Sequence, residues 1–247
     1  MICSQSGQGV NVLIFMKWRS LEESSAATDT RSLKDVFDER KQLIANYVPP
    51  DIRAIHERAV KELQESGISG RALQAGSKAP EFALEDHNGN VFRSADLLLS
   101  SRLVLCFFRG RWCPFCIGQL EAMNSIVAQL CALNASLVAI SPQTKHQSSL
   151  TAYQHRLQFP LLCDAGNSVA MQFGLLYRVP DYQQEVYRSA FVNLPFVNGD
   201  SSWELPIPAT YIIDRDGRVL FASADPDYAA RPEPADILQF LSQLPKF

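Results

Sequence analysis

The 247-residue chain is 47% hydrophobic and 20% charged with a formal net charge of −3, usage that excludes wholesale disorder and a fibrous chain. Lys and Arg (23) do not exceed Asp and Glu (26), and no dense basic stripe is visible, so nucleic acid is not expected as a partner. No stretch approaches ~20 uninterrupted apolar residues, so neither a membrane-spanning helix nor a membrane partner is expected.

Residues 1–33 are rich in Ser, Thr, Gln and Gly and predict a poorly ordered lead-in. Within it, residues 10–16 (VNVLIFM) lack a preceding basic run, and Lys17-Trp18-Arg19 stands where a small-residue cleavage site would be. That segment is not read as a secretory leader. Ser32 is a plausible N-cap for a helix carrying Leu33, Val36, Phe37, Arg40, Leu43, Ile44 and Tyr47 at 3.6-residue spacing. Pro49-Pro50 ends it. A second helix opens near Asp51, carries Ile52, Ile55, Ala59 and Leu63 on one face and stops at Gly67. Residues 34–75 thus form a helical extension, expected to pack on the main domain or on another subunit in a homodimer.

From Gly76 onward short strands alternate with helices, which defines an α/β domain over residues 76–247. Residues 82–84 and 91–93 flank the turn Asn88-Gly89-Asn90 as a hairpin. Residues 103–108 (LVLCFF) read as a central strand buried on both faces. A helix bearing Leu120, Met123, Val127, Leu130 and Asn134 follows, then a strand over 137–140. A helix is expected over 146–157, an extended piece over 159–163 and a short capped helix over 164–173. Strands over 210–214 and 219–222 flank Arg215-Asp216-Gly217, and a helix over 235–244 closes the chain. Residues 177–206, Pro-interrupted and aromatic, are too long for a plain connector and are expected to cover a site.

The chemistry concentrates in Phe107-Phe108-Arg109-Gly110-Arg111-Trp112-Cys113-Pro114-Phe115-Cys116, where the buried strand gives way to a helix. Active sites of open α/β sheets gather beyond such strand ends. Cys113 falls at the helix N-terminus, where free N–H groups and the helix dipole favour an anion. Arg109 and Arg111 add positive charge, and such surroundings bring a cysteine from ~8.5 into about 3.5–7.5. Cys116 lies one helical turn on, within disulfide reach if the local geometry allows. A zinc site would need two more ligands, and no second CxxC or suitable His pair exists. The bland reading, a buried inert thiol, suits Cys106 and Cys131, which sit in apolar runs, but not Cys113. A redox dithiol remains. The other cysteines share no close spacing, which fits a reducing, cytoplasmic compartment. Cys163 reads as buried, with a distant resolving role as the alternative. His146 and His155 read as solvated; His56 and His87 lie outside the motif. Asp225-Pro226-Asp227-Tyr228 is an isolated acidic turn. Pro208, just before a strand, is either a rigid cis wall or an ordinary trans residue at a strand start.

WCPFC after a buried strand, and Ile207-Pro208-Ala209-Thr210-Tyr211-Ile212-Ile213-Asp214 before a DG turn, resemble the thioredoxin superfamily. The fuller pattern adds Ala79-Pro80-Glu81-Phe82, Ala139-Ile140-Ser141-Pro142-Gln143-Thr144 and Trp203-Glu204-Leu205-Pro206. It resembles the peroxiredoxin-like (redoxin, alkyl hydroperoxide reductase/thiol-specific antioxidant, AhpC/TSA) family over about residues 76–243. The resemblance implies a thioredoxin-like α/β/α sandwich with an N-terminal helical extension. It implies a thiol peroxidase whose Cys113 thiolate attacks hydrogen peroxide or an organic hydroperoxide. Cys116 would resolve the sulfenic acid to a disulfide, and a thioredoxin-like donor or glutathione would restore the dithiol. No cofactor and no metal are implied. Arg109, Arg111, Trp112 and Pro208 are the expected substrate-binding and thiolate-stabilising residues.

Three positions depart from the family pattern. Gly110 stands where these enzymes place Thr or Ser, Pro208 where they place Arg, and Phe107 where thioredoxins carry a buried acid. Glu204 is a candidate proton acceptor if the insertion folds over the site. Two alternatives stay open: a thiol–disulfide oxidoreductase acting on protein disulfides, favoured by the CxxC, and a non-enzymatic redox sensor or binding protein.

Overall fold

The computed structural model describes residues 31–245. The expected lead-in over residues 1–33 lies, up to residue 30, outside the described residues. Ser32 caps the first helix as its spacing predicts: its side chain accepts from Asp35 N–H at 3.0 Å, and α1 runs Leu33–Tyr47. Pro49-Pro50 separates it from α2 (Pro50–Glu65), and Gly67, at φ +69°, turns the chain into the short α3 (Ile68–Arg71).

The α/β domain follows in the order β1 (Ala83–Asp86), β2 (Val91–Arg93), α4 (Ser94–Ser100), β3 (Arg102–Phe107), α5 (Pro114–Asn124), α6 (Val127–Ala132), β4 (Ala135–Ser141), α7 (Lys145–Gln154), β5 (Leu161–Cys163) and α8 (Ser168–Gln172). The insertion holds β6 (Leu176–Arg178), α9 (Asp181–Ser189), α10 (Leu194–Asn198) and β7 (Glu204–Pro206), and the chain ends in β8 (Ala209–Ile213), β9 (Val219–Ala224) and α11 (Pro234–Ser242). One expected element divides. The helix foreseen through Asn134 breaks at Ser125, whose hydroxyl donates to Ala122 O at 2.7 Å and competes with the helical ladder.

The main sheet runs β2-β1-β5-β4-β3-β8-β9, with β3, β4 and β5 parallel and the other pairings antiparallel. Helices cover both faces, giving the expected α/β/α sandwich. Successive β3 residues feed two cores. Val104 and Cys106 join Phe37, Phe115, Leu120 and Ile237 on one side. Leu103, Leu105 and Phe107 join Ile68, Phe173 and Tyr211 on the other. This is why LVLCFF shows no alternation of polarity.

Helix α5 is nearly apolar all round because it is enclosed between the sheet and α1. Phe37 of α1 meets Phe115 edge-on at 5.1 Å between centroids. Arg40 of α1, fully buried, donates to the carbonyl of Pro114, and a Cβ at Gly118 would overlap its guanidinium. The helical extension is therefore built against the first turn of α5. Helix α2 packs on α9 of the insertion, and both meet near the same helix start. The insertion has its own small core of Val179, Tyr187, Leu194, Trp203 and Leu205, with Trp112 packed against it.

Candidate active site

The strand-to-helix connection after β3 is held by short bonds. Phe108 N–H donates to Ile140 O at 3.0 Å, and Cys113 N–H closes the turn on Gly110 O at 3.1 Å. Arg111 N–H donates to the Gln143 side chain at 2.6 Å, so the Ser141-Pro142-Gln143 stretch after β4 braces the turn. Gly110 sits at φ +147°, and a Cβ there would come within 2.5 Å of the Trp112 ring nitrogen. A hydroxyl-bearing residue does not fit this turn, which accounts for the glycine. Cys113 then occupies the N-cap of α5, with Pro114 at the first helical position.

Both motif thiols are free, and both are fully enclosed. Arg109 Nη2 donates to Cys113 Sγ at 3.2 Å. The Arg109 backbone N–H donates to Cys116 Sγ at 3.5 Å, and Arg231 Nη2 stands 3.9 Å from the same sulfur. Burial pushes the Cys113 thiol up, but a hydrogen bond from Cys116, the bonded Arg109 guanidinium and Arg231 together hold it well below the ordinary thiol range. Burial, followed by the hydrogen bond to Cys113 and that sulfur's charge, holds Cys116 well above it. The two thiols are thus shifted in opposite directions, and Cys113 is the one of the pair that ionises first.

Aromatic rings roof the pair. The Arg109 guanidinium lies between the Trp112 ring at 4.9 Å and the Tyr228 ring at 4.6 Å. Tyr187 of α9 packs on Trp112 with ring centroids 5.1 Å apart and planes tilted by 56°, and the buried Tyr177 faces Arg109. Beyond the roof lies a cavity of about 320 Å³. Ile44, Val48 and Ile52 of the extension wall it on one side, and Val186, Phe191 and Val192 of the insertion on the other. Its inner wall is Arg109, Trp112, Pro114 and Phe115. His56 also lines it and accepts from Gln183 at 3.0 Å. Burial first, and then the charge of Arg109, lower its pKa to about 4, so it is neutral at pH 7.

A model of the AhpC/TSA family matches residues 75–222, more than half of the chain. The chain belongs to the AhpC/TSA family. As a member it is a peroxiredoxin-like thiol peroxidase in the general sense. A Mycobacterium tuberculosis protein named as a peroxiredoxin is 28% identical over 120 residues, covering 49% of this chain and 78% of its own. Chloroplastic peroxiredoxin Q of Arabidopsis thaliana is 25% identical over 167 residues, covering 66% and 67%. The crystal structure of peroxidoxin BcpB from Mycobacterium tuberculosis superposes with a TM-score of 0.56 at 23% identity, covering 70% of this chain and 99% of that one, a likeness of fold.

Within this AhpC/TSA frame the expected site residues divide. Cys113, Cys116, Arg109 and Trp112 come together. Arg111 lines the cavity, but its guanidinium turns to Gln147 and Gln154 of α7 at 3.5 and 3.2 Å; the cations acting on Cys113 are Arg109 and Arg231. Pro208 is buried beside the Phe107–Ala209 pair at the same sheet end, in a trans peptide, and its carbonyl accepts from Asp225 N–H at 3.3 Å. It takes no part in the contacts of either sulfur described above. The insertion does fold over the site, but Glu204 is not the residue it brings. Glu204 pairs with Arg178 across the two-stranded β6–β7 ribbon, while Tyr177 and Tyr187 face Arg109.

Four expectations are corrected. Cys113 is not an open thiol but a fully enclosed one, because α1, α2 and the insertion close over the turn. Cys131 is exposed, since α6 turns Leu130 inward and its neighbour out. Cys163 is half-buried, donating to Ser148 at 3.5 Å. His155 is not solvated: it bonds Glu121 at 3.0 Å and lines the cavity. The acidic turn holds its own backbone, with Asp225 accepting from Asp227 N–H and Asp227 from Ala229 N–H, while its Tyr228 belongs to the site. Tyr177 and Tyr187 belong to the aromatic insertion expected to cover a site, whereas residues 56 and 231 carry no sequence signal that places them near Cys113.

Proposed function

We propose that the protein reduces hydroperoxides through the Cys113 thiolate, with Cys116 as the resolving thiol. The observation that carries this reading is the 3.2 Å bond from Arg109 to Cys113 Sγ at the start of α5. Sulfur attacks the outer oxygen of ROOH; an S–O bond forms as the O–O bond breaks, and the departing alkoxide takes a proton to leave as ROH. The Arg109 guanidinium faces the charge as it passes from sulfur to oxygen, the place where fixed donors lower a barrier most. Cys116 then attacks the Cys113 sulfenic acid, and water leaves as the disulfide forms. A thioredoxin-like dithiol or glutathione supplies the two electrons that reopen it.

The apolar cavity supports an organic hydroperoxide, its carbon chain against Val48, Ile52 and Val186 and its peroxide group toward Arg109. The reading requires Trp112, which lines the cavity, to move aside for the peroxide to reach the enclosed sulfur. Stopped-flow mixing of reduced protein with sub-stoichiometric hydrogen peroxide or cumene hydroperoxide tests the reading. Fast oxidation absent from Cys113→Ser is expected, and faster with the organic peroxide. Oxidation no faster than that of free cysteine, alongside efficient insulin reduction, would instead establish a thiol–disulfide oxidoreductase.

A further inference from the structure

We propose that Arg231 is a positioning residue for the second half of the cycle: it holds Cys116 as the attacking thiolate once Cys113 has been oxidised. The inference rests on the reading of Cys116 as the resolving thiol. It starts from a charge count around two sulfurs. Arg109 and Arg231 both face the pair, and Cys113 and Cys116 offset them there, with the phenols of Tyr187 and Tyr177 also facing Arg109. The nearby carboxylates are committed elsewhere. Glu233 accepts from the N–H groups of Leu33 and Lys34 at the start of α1, at 2.9 and 2.7 Å. Asp225 and Asp227 cap their own turn. The buried Arg231 Nε has no hydrogen-bond partner among the described residues, Nη1 donates to Ala230 O at 3.2 Å, and Nη2 is directed at Cys116 Sγ.

In the reduced protein this second cation is not fully used. Cys113 holds the negative charge, and the Cys116 S–H donates to it. The charged groups facing Cys116 are Cys113, Arg231 and Arg109, and the first opposes the other two. Oxidation of Cys113 to a neutral sulfenic acid removes the opposing charge and the acceptor together. Arg231, and the Arg109 N–H at 3.5 Å, then face a thiol with nothing holding its proton. Cys116 loses that proton, its sulfur forms a bond to Cys113 Sγ, and the Cys113 hydroxyl leaves with the proton as water. In this step the Cys116 sulfur is oxidised and the sulfenic sulfur of Cys113 is reduced; the electron pair of the new S–S bond comes from Cys116, and no further reactant enters. The event that makes Cys116 necessary thus also makes it nucleophilic. Arg231 lies beyond the matched span 75–222, so this device belongs to the C-terminal segment of this chain.

The test uses the full chain and two backgrounds. In Cys113→Ser, the introduced hydroxyl stands for the uncharged oxidised sulfur, and the Cys116 thiolate is titrated by its 240 nm absorbance against the Cys113→Ser/Cys116→Ser protein. Adding Arg231→Gln is expected to raise the midpoint by about one unit, a tenfold change, and Arg231→Lys to restore most of it. An unmoved midpoint overturns the proposal whether or not the protein is a peroxidase. In the otherwise native chain, one equivalent of peroxide is added and two steps are timed, sulfenic acid by dimedone trapping and disulfide by intact mass. Arg231→Gln is expected to slow the disulfide step about tenfold more than the first. Equal slowing of both steps would mark Arg231 as structural. Absence of sulfenic acid in the wild-type chain would overturn the peroxidase reading itself, and the titration would still decide the role of Arg231.

Discussion

Cys106 lies in β3 and Cys113 at the far end of the connection that follows it, and both are fully enclosed. Cys106 is the penultimate residue of β3, with Thr210 Oγ1 at 3.9 Å as its polar neighbour, and burial pushes its thiol up to about 11. Cys113 sits where the strand has ended and α5 begins, and its thiol goes the other way. Burial is therefore not what makes a cysteine inert. An enclosed sulfur without a cation beside it keeps its proton; with a guanidinium at 3.2 Å, the same enclosure strengthens the attraction because water no longer screens it.

The hardest test of that contrast is to remove each sulfur. Cys113→Ser is expected to abolish peroxide consumption, while Cys106→Ser keeps most of it; a standard peroxide assay on both variants decides. Next is the cation. Arg109→Met keeps the packing between Trp112 and Tyr228 but removes the charge, and should lower the second-order rate of Cys113 oxidation by about 100-fold or more. A loss below threefold would mean that the helix terminus alone holds the thiolate. Stability against pH should separate the two thiols by sign. The depressed Cys113 value contributes stability present above ~8.5 and lost as pH falls through its folded value. The raised Cys106 value contributes stability present below the ordinary thiol value and lost as pH rises through about 11. Urea melts across pH should lose the first dependence in Cys113→Ser and the second in Cys106→Ala. The smallest expected effect is that of His56. Its lowered pKa means that the unfolded chain binds the proton more readily between 6.5 and about 4, so stability falls across that window on acidification, at no more than about 1.4 kcal/mol per pH unit. His56→Gln should flatten it.

Local features of the site are legible in the sequence. Cys113 at a helix N-terminus follows from a buried run, a CxxC and a proline at the first helical position. The same spacing put Cys116 one turn on and Arg109 beside the thiolate. Ser32, Gly67 and Gly217 announced the turns and caps they occupy because each acts on its own backbone. What distant segments contribute was not legible. Arg231 reaches Cys116 and Tyr228 reaches Arg109 from beyond β9, and Ile44, Val48 and His56 line the adjoining cavity from the segment that precedes the domain. Nothing within a few residues of any of them marks the contact. The cover from the 177–206 insertion was legible in its length and aromatic content, but the full enclosure of Cys113 was not, since α1 and α2 close over it as well. Arg111 misled because adjacency in sequence is not direction in space. In the turn closed by Gly110, Arg109 and Arg111 leave on different sides.

The central claim, that Cys113 is a thiolate at neutral pH although enclosed, is tested most directly by the pH dependence of its own alkylation. Iodoacetamide labelling of the reduced protein, quantified at the Cys113 peptide, should show a reactivity that is flat around neutrality and falls only on acidification, with a midpoint well below the ordinary thiol value. A Cys113 midpoint near ~8.5, that of an unassisted thiol, would contradict the account.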